Sequence, residues 1–374
     1  MRKPKAVWLL RALCGVCLLA AFYLCGCQSI MRGLSDRLTR WNMLDEQAME
    51  DPIKAVGGDG IVFCPDKDVR PLTAHQLAAA TPEMLVSYYS PIFVQQRVNS
   101  QAQRFPYPAE YDMIGQAHLR REANGKLKSY VAGPPKAYAI VKKLPIDGHE
   151  HIQLTYTAWY PAHPRMKALD MEEADVDSCV LRITLGPENT PLFYETIAAC
   201  GCFHKVFVES WIESGAQQTY GPPEKGKKFC VERTVKDSID WEVAGVVDEP
   251  RDRPQRPVVF LKAGEHKVIG LGSAARLRVP PNAEKHPYEM TSYADLYAVA
   301  VDGGGPPAAF FDMDNGGKVR GAERRKEKFF LTFAGVDAAG QPRADDQIKM
   351  HFDETTWGDP TIYSRFLRLP PGTL

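Results

Sequence analysis

Apolar and polar positions alternate most regularly in the middle of the chain. Residues 151–160 place Ile152, Leu154, Tyr156, Ala158 and Tyr160 on one face and His151, Gln153, Thr155, Thr157 and Trp159 on the other. The first face is a core face. The second is polar without charge, which suits a lined groove or a solvated surface. Upstream, Tyr138-Ala139-Ile140-Val141 leads to Asp147-Gly148, a dipeptide that favours a tight hairpin. Downstream, Cys179-Val180-Leu181-Arg182-Ile183-Thr184-Leu185 and Pro191-Leu192-Phe193-Tyr194-Glu195-Thr196-Ile197 flank Gly186-Pro187-Glu188-Asn189 as a second hairpin. Further strands are expected at Ile92-Phe93-Val94, Pro257-Val258-Val259-Phe260-Leu261 and Phe329-Phe330-Leu331-Thr332-Phe333.

Helical signals are short and flank these strands. Thr73 is placed to cap a helix over 75–80, and Thr81-Pro82-Glu83 restarts one with proline at its first position. Ser292 opens another at Tyr293, and Asp359-Pro360 heads a last helix carrying Tyr363, Phe366 and Leu367. Residues 210–260, rich in Pro, Gly and charge, read as a long excursion. The patterns together predict an α+β fold, mainly β, with an antiparallel, hairpin-rich central sheet and short flanking helices. It is expected as one large domain over 61–374.

The N-terminus departs from this pattern. Arg2, Lys3 and Lys5 make a basic start, Arg11 is the last charge, and 12–26 is apolar apart from small residues and cysteines. Such a run is short for a membrane span and suits a signal peptide. It ends in Leu24-Cys25-Gly26-Cys27, which resembles the lipobox of bacterial lipoproteins. The resemblance implies a signal peptide over 1–26, lipidation of Cys27, and a tether with a short helix over 27–60. Gln28, where an aspartate would retain the protein at the inner membrane, implies the periplasmic face of the outer membrane in a Gram-negative cell. The alternative is an uncleaved anchor helix. Either way the body is exported, and its membrane partner is reached through the anchor.

Charge adds one exclusion. Lys plus Arg and Asp plus Glu number 46 each, so no basic excess points to nucleic acid. Loss of 1–26 removes Arg2, Lys3, Lys5 and Arg11 and no acid, leaving a mature charge of about −4.

Export makes the cysteines informative. Beyond Cys27 the body carries Cys64, Cys179, Cys200, Cys202 and Cys230, and an oxidising compartment favours pairing or metal ligation. Cys200-Gly201-Cys202-Phe203-His204 packs three such groups into five residues. On a regular strand same-face side chains stand ~7 Å apart, too far to hold one ion, so Gly201 has to bend the chain. Thiolate and imidazole are then ligands for zinc or copper. His351, in His351-Phe352-Asp353, is the candidate fourth ligand, with His149 and His151 as runner-up. An open metal position would support hydrolysis; a closed one would make a binding or scaffold module. Tyr156, Trp159 and Asp353 are the candidate neighbours of the site. Two other readings stay open: a redox-active Cys200–Cys202 disulfide, and separate bridges to Cys64, Cys179 or Cys230 with His204 an ordinary polar residue.

Other motifs are weaker. Asp312 to Glu323 matches a calcium loop at several positions, but Gly316, Arg320 and the upstream Gly303-Gly304-Gly305-Pro306-Pro307 favour a polar turn. Asp175 and Asp177 read as a solvated acidic turn. No nucleophile elbow, phosphate loop or His-Glu-x-x-His helix is present.

Several stretches together resemble an uncharacterised family of bacterial exported proteins with a Cys-Gly-Cys-aromatic-His signature. They are Tyr111-Asp112-Met113-Ile114-Gly115, Gln153-Leu154-x-Tyr156-x-x-Trp159-Tyr160, Leu181-Arg182-Ile183-Thr184-Leu185, Tyr194-Glu195, Cys200 to His204, Arg320-Gly321-x-Glu323-Arg324 and His351-Phe352-Asp353. The resemblance covers about 85–366 and implies a site without implying an activity.

Overall fold

The computed structural model describes residues 60–67, 69–168, 170–235, 241–276, 282–332, 340–349 and 357–374. Cys27, His351 and Asp353 lie outside them. The long strands, in chain order, are β1 (Ile61–Pro65), β2 (Ile92–Gln95), β3 (Gln116–Arg121), β4 (Leu127–Ala132), β5 (Lys136–Ile146), β6 (His149–Tyr160), β7 (Asp177–Leu185), β8 (Pro191–Ile197), β9 (His204–Glu209), β10 (Trp241–Val247), β11 (Pro257–Leu261), β12 (Val268–Ser273) and β13 (Glu284–Ser292). Eleven of them form one mixed sheet in the order β10-β9-β8-β7-β6-β5-β13-β1-β2-β11-β12. Its two end strands approach each other, so the sheet curls into a nearly closed barrel. The hairpin of β3 and β4 stands apart from it.

Local chemistry makes the central meander. Asp147 (φ 47°) and Gly148 (φ 85°) form the left-handed two-residue turn that joins β5 to β6, the turn whose twist matches paired strands. β6, β7, β8 and β9 then follow as antiparallel neighbours. The ladders that close the barrel are instead parallel and remote in sequence: β1 with β13, β13 with β5, β2 with β11, and β9 with β10.

The barrel interior takes the expected core face. Leu154, Tyr156, Ala158 and Tyr160 pack with Leu181, Ile183, Phe207, Val259 and Leu261. One end is plugged by two short helices, α1 (Ala74–Ala78) and α2 (Pro82–Tyr88), capped by Thr73 and Thr81. Tyr89 Oη donates to Asn189 O (2.9 Å) and Asn189 Nδ2 donates to Leu77 O (2.8 Å), which ties this plug to the β7–β8 turn.

The other face of β6 is not solvated. Gln153, Thr155, Thr157 and Trp159 are at most 2% exposed, because the C-terminal third of the chain covers them. Trp159 packs on Phe310 and Phe311, and Gln153 Nε2 donates to Tyr363 Oη (2.7 Å). Gln153 finds its partners there, Thr184 Oγ1 at 3.0 Å as well as Tyr363 Oη, as a buried amide requires.

Two expectations need correction. The excursion over 210–260 contains α3 (Ser210–Tyr220) as well as β10. Of the expected strand at 329–333, residues 329–332 are instead the end of α4 (Arg325–Thr332), and Phe333 lies outside the described residues: the preceding Arg325-Lys326-Glu327-Lys328 run consists of good helix formers, and Lys328 N donates to Arg324 O (2.9 Å). The last helix, α5 (Thr361–Phe366), opens where Asp359 Oδ1 accepts from Thr361 N (2.8 Å).

Candidate functional site

At the barrel end away from α1 and α2, the strand ends gather a core made of charges. The end of β6 (Tyr160), the start of β7 (Asp177), the turn between β8 and β9, and the turn between β11 and β12 meet there. The β8–β9 turn carries the cysteines. Gly201 N donates to Ala198 O (2.8 Å) and Ala198 N to Cys202 O (3.0 Å), with Gly201 at φ 92°. The bend that a strand would lack is therefore present, and it brings the Cys200 and Cys202 sulfurs to 2.7 Å from each other. Both residues are buried, Cys200 at 1% and Cys202 at 7% exposure.

Each sulfur has a charged neighbour. Arg324 Nη1 lies 3.2 Å from Cys200 Sγ, while its Nη2 donates to Asp177 Oδ1 (3.1 Å). Glu327, on the first turn of α4, has Oε1 3.9 Å from Cys202 Sγ and Oε2 3.7 Å from Arg324 Nη1. Burial pushes the Glu327 carboxyl up to about 7, although Arg324 pulls it down. Burial, reinforced by the Cys200 sulfur, holds the Cys202 thiol well above its ordinary value. Burial opposes charge on Arg324 as well, but Cys200, Asp177 and Glu327 together keep it protonated.

Behind Arg324 lies an ordered ionic chain. Asp177 Oδ2 accepts from His163 Nδ1 (2.9 Å) and His266 Nδ1 (3.0 Å). Burial alone would raise the Asp177 carboxyl; the two histidines and Arg324 instead hold it well below the usual range. His266 stacks on Tyr160 with ring centroids 3.8 Å apart. Against its burial, Asp112 and Asp177 hold its imidazole up to about 9. Lys267 bridges Glu172 (3.4 Å) and Glu265 (3.2 Å) and stands 4.1 Å over the Phe203 ring.

The backbone here is strained. Phe203 (φ 59°) and His266 (φ 49°) are non-glycine residues in the left-handed region, a conformation that costs on the order of 1–3 kcal/mol each. Both line a cavity of about 20 Å³, bordered also by Asp177, Thr196, Lys267 and Arg324. That is room for one molecule the size of water. A larger groove of about 480 Å³, between α2 and the β5–β13 seam, contains none of these residues.

His204 belongs to a different network. Its Nε2 lies 3.0 Å from Glu195 Oε1, and Arg182 forks onto the same carboxylate at 2.9 and 2.8 Å. Tyr363 Oη donates to Glu195 Oε2 (2.5 Å), and Trp357 covers the guanidinium at 3.6 Å. The structure therefore brings Cys200 and Cys202 together and directs the His204 imidazole to Glu195. His149 is exposed, and His151 Nδ1 lies 2.9 Å from Leu185 O. Among the described residues, no group of three or more His, Cys, Asp or Glu side chains is placed to hold a metal ion. Tyr156 points toward the α2 end, where its hydroxyl donates to Val86 O (2.9 Å).

The remaining sequence expectations resolve as follows. None of Cys64, Cys179, Cys200, Cys202 and Cys230 is joined in a disulfide, so the separate bridges are not formed. Asp175 is solvated and paired with Lys128, but Asp177, read as its solvated neighbour, is the buried hub of the ionic chain. Asp312 pairs with Arg320 (3.6 Å) and Glu323 with Lys328 (2.5 Å) in a polar turn.

No family model matches the chain, and comparison with curated proteins and with solved structures gives no significant match.

Reading the sequence for ligand-type residues missed Arg324, Glu327, Asp177, His163 and His266. A usable signal was present in part. Arg182 and Glu195 interrupt apolar strand runs, and a charge at an inward position of such a run has to be paired. Arg324 sits at the end of the Arg320-Gly321-x-Glu323-Arg324 stretch. Nothing local marks Asp177 or His266.

Proposed function

We propose that this is an envelope-tethered thiol–disulfide redox protein whose Cys200 and Cys202 cycle between dithiol and disulfide. The observation that carries the reading is the pair of adjacent sulfurs with a guanidinium against one and a carboxyl against the other. Arg324 is the charge partner for a Cys200 thiolate, the form that reacts. Glu327, poised near neutrality, takes the proton that Cys202 gives up. On oxidation of the thiolate and the thiol the two sulfurs bond, two electrons pass to the oxidant, and the single remaining thiol proton is the one that Glu327 takes. Arg324 then keeps the Asp177 carboxylate as its partner, so the charge is not stranded. The strain at Phe203 and His266 is of the kind retained where a site over-determines its backbone.

In the test, the reduced protein is treated with diamide and its thiols are mapped by alkylation and mass spectrometry. A Cys200–Cys202 link that dithiothreitol reverses, and that Cys202→Ser abolishes, is the expected result. Two thiolates are also zinc or copper ligands, and a metal centre is the competing reading. Arg324 weighs against it, because a fixed cation 3.2 Å from Cys200 Sγ competes with an ion for the same sulfur. Stoichiometric metal in the purified protein, lost on replacing Cys200 and Cys202, would reverse the assignment.

The address is part of the proposal. The lipobox-like Leu24-Cys25-Gly26-Cys27 supports a lipid anchor at Cys27, and no helix among the described residues is long and apolar enough to cross a membrane. Cys27→Ala is expected to move the protein from the membrane fraction to the soluble one; unchanged membrane retention would refute the anchor.

A further inference from the structure

We infer that Glu209 and Glu249 form a proton-sharing pair at the plugged end of the barrel, and that ionisation of the pair loosens α1 and α2 from the strands beneath them. Position is the first argument. Glu209 ends β9, where Val247 of β10 lies beside it in the parallel ladder, and Glu249 follows two residues later. The two side chains open on one cavity of about 10 Å³, walled also by Thr190, Pro191, Trp211 and Pro254. That is the least space that admits a water. Glu209 is 2% and Glu249 6% exposed.

Unmet hydrogen bonding is the second argument. Glu249 Oε1 accepts from Gln255 N (2.7 Å), but Glu249 Oε2 and both Glu209 oxygens have no hydrogen-bond partner among the described residues. The neighbouring cations are engaged elsewhere. Arg276 pairs with Asp248 (3.1 Å), and Arg251, on the rim of the cavity, stands 4.6 Å over the Trp211 ring. Two buried carboxylates without counter-ions are costly, whereas a proton on one supplies the donor that the other lacks, directly or through the one water. Burial accordingly pushes Glu209 up to about 8; Glu249 and Asp248 add to the rise, and the nearby Tyr194 hydroxyl and Glu249 N–H oppose it. Burial pushes Glu249 up to about 7 against Ser273, the Gln255 N–H and Arg276. Burial also raises the facing phenols Tyr88, Tyr89 and Tyr194, which stay neutral while the pair titrates.

The walls of this cavity also carry the plug. Tyr88 Oη, at the end of α2, donates to Pro254 O (2.6 Å), and Tyr89 Oη donates to Asn189 O (2.9 Å), next to Thr190. When both carboxyls ionise, repulsion and hydration part Thr190 and Pro191 from Pro254, and each displaced wall takes a tyrosine anchor with it. Through Glu83, Val86 and Ser87, α2 also walls the groove of about 480 Å³, so acid tightens that groove and base loosens it. The sign follows from the raised carboxyls. The closed plug is fully stabilised below the ordinary 4.5 and loses that stabilisation as pH rises to about 8.

The test is hydrogen exchange at the α1 and α2 amides of the mature chain, each rate divided by its intrinsic value, from about pH 5 to 6.5. In that window the contribution of His266, at the other end of the barrel, is constant. Protection is expected to fall about tenfold per pH unit, the dependence of one released proton. Glu209→Gln places a permanent amide donor where the shared proton was and should flatten the slope. Glu209→Gln with Glu249→Gln, which cannot ionise at all, should flatten it too, and either variant serves if the other does not fold. Tyr89→Phe cuts one anchor and spares the carboxyls, so it should lower protection at every pH and keep the slope. Protection that does not vary with pH in the parent chain, or a slope that survives in the Gln variants, overturns the proton pair; unchanged protection in Tyr89→Phe overturns its coupling to the plug. Protection that follows added calcium instead of pH would make the carboxyls a cation site and overturn the assignment as well.

Discussion

Asp177→Asn is expected to destabilise the protein by about 3–5 kcal/mol, the cost of leaving buried charges without their counter-ion. The side chain keeps its size, so packing changes little and the loss is electrostatic. Asp177 is 1% exposed and receives His163, His266 and Arg324 at 2.9–3.1 Å; an amide in its place loses the negative charge and turns an NH2 toward the donors that one of the two oxygens accepted from. The effect has a pH signature. His266 is held up to about 9 against an ordinary 6.5. A folded-state value above the unfolded one means stabilisation that is complete below 6.5 and lost as pH rises through about 9. In Asp177→Asn only Asp112 still holds His266, so that loss shrinks. Urea midpoints measured below 6.5 and above 9 test this; an unchanged pH slope would mean that Asp177 does not hold the proton on His266. Asp175→Asn is the control: its pair with Lys128 is solvent-exposed and is worth at most about 1 kcal/mol.

Glu195→Gln should have a comparable cost, about 3–5 kcal/mol, for the same reason on the other side of the sheet. Glu195 is 0% exposed and holds the Arg182 fork, His204 and Tyr363. Although burial acts to raise it, Arg182 and His204 hold its carboxyl down to about 2 from an ordinary 4.5. Its stabilisation is therefore present above 4.5 and disappears as pH falls through about 2. The decisive comparison is a double variant. Arg182→Met with Glu195→Gln removes both charges, so it should be more stable than Glu195→Gln alone. A double variant that loses the sum of the two single losses would show that the pair acts by packing and not by charge.

These two networks explain how much was legible. The alternation of β6, the Asp147-Gly148 turn, the second hairpin and the Thr73 and Thr81 caps are local features, and side-chain period and turn stereochemistry suffice to read them. The proximity of Cys200 and Cys202 was half legible, because Gly201 permits the bend without requiring it. Placing His204 with the cysteines followed from nearness in sequence. The structure separates them because Glu195, on the adjacent strand, offers the imidazole a buried carboxylate. Phe329 to Thr332 was misread because an apolar run was weighed without the helix-forming charged run before it.

By itself the sequence determined the β-rich class, the central meander and the two capped helices, since each depends on residues within a few positions of one another. Only the tertiary structure decided that β10 approaches β12 so that the barrel nearly closes, that polar Gln153 and Thr155 are buried, and that Arg324 faces Cys200 from 124 positions away. Parallel ladders and buried ion pairs join residues remote in the chain, and their partners are selected by burial and charge neutralisation in three dimensions, for which no local pattern of residues is a proxy.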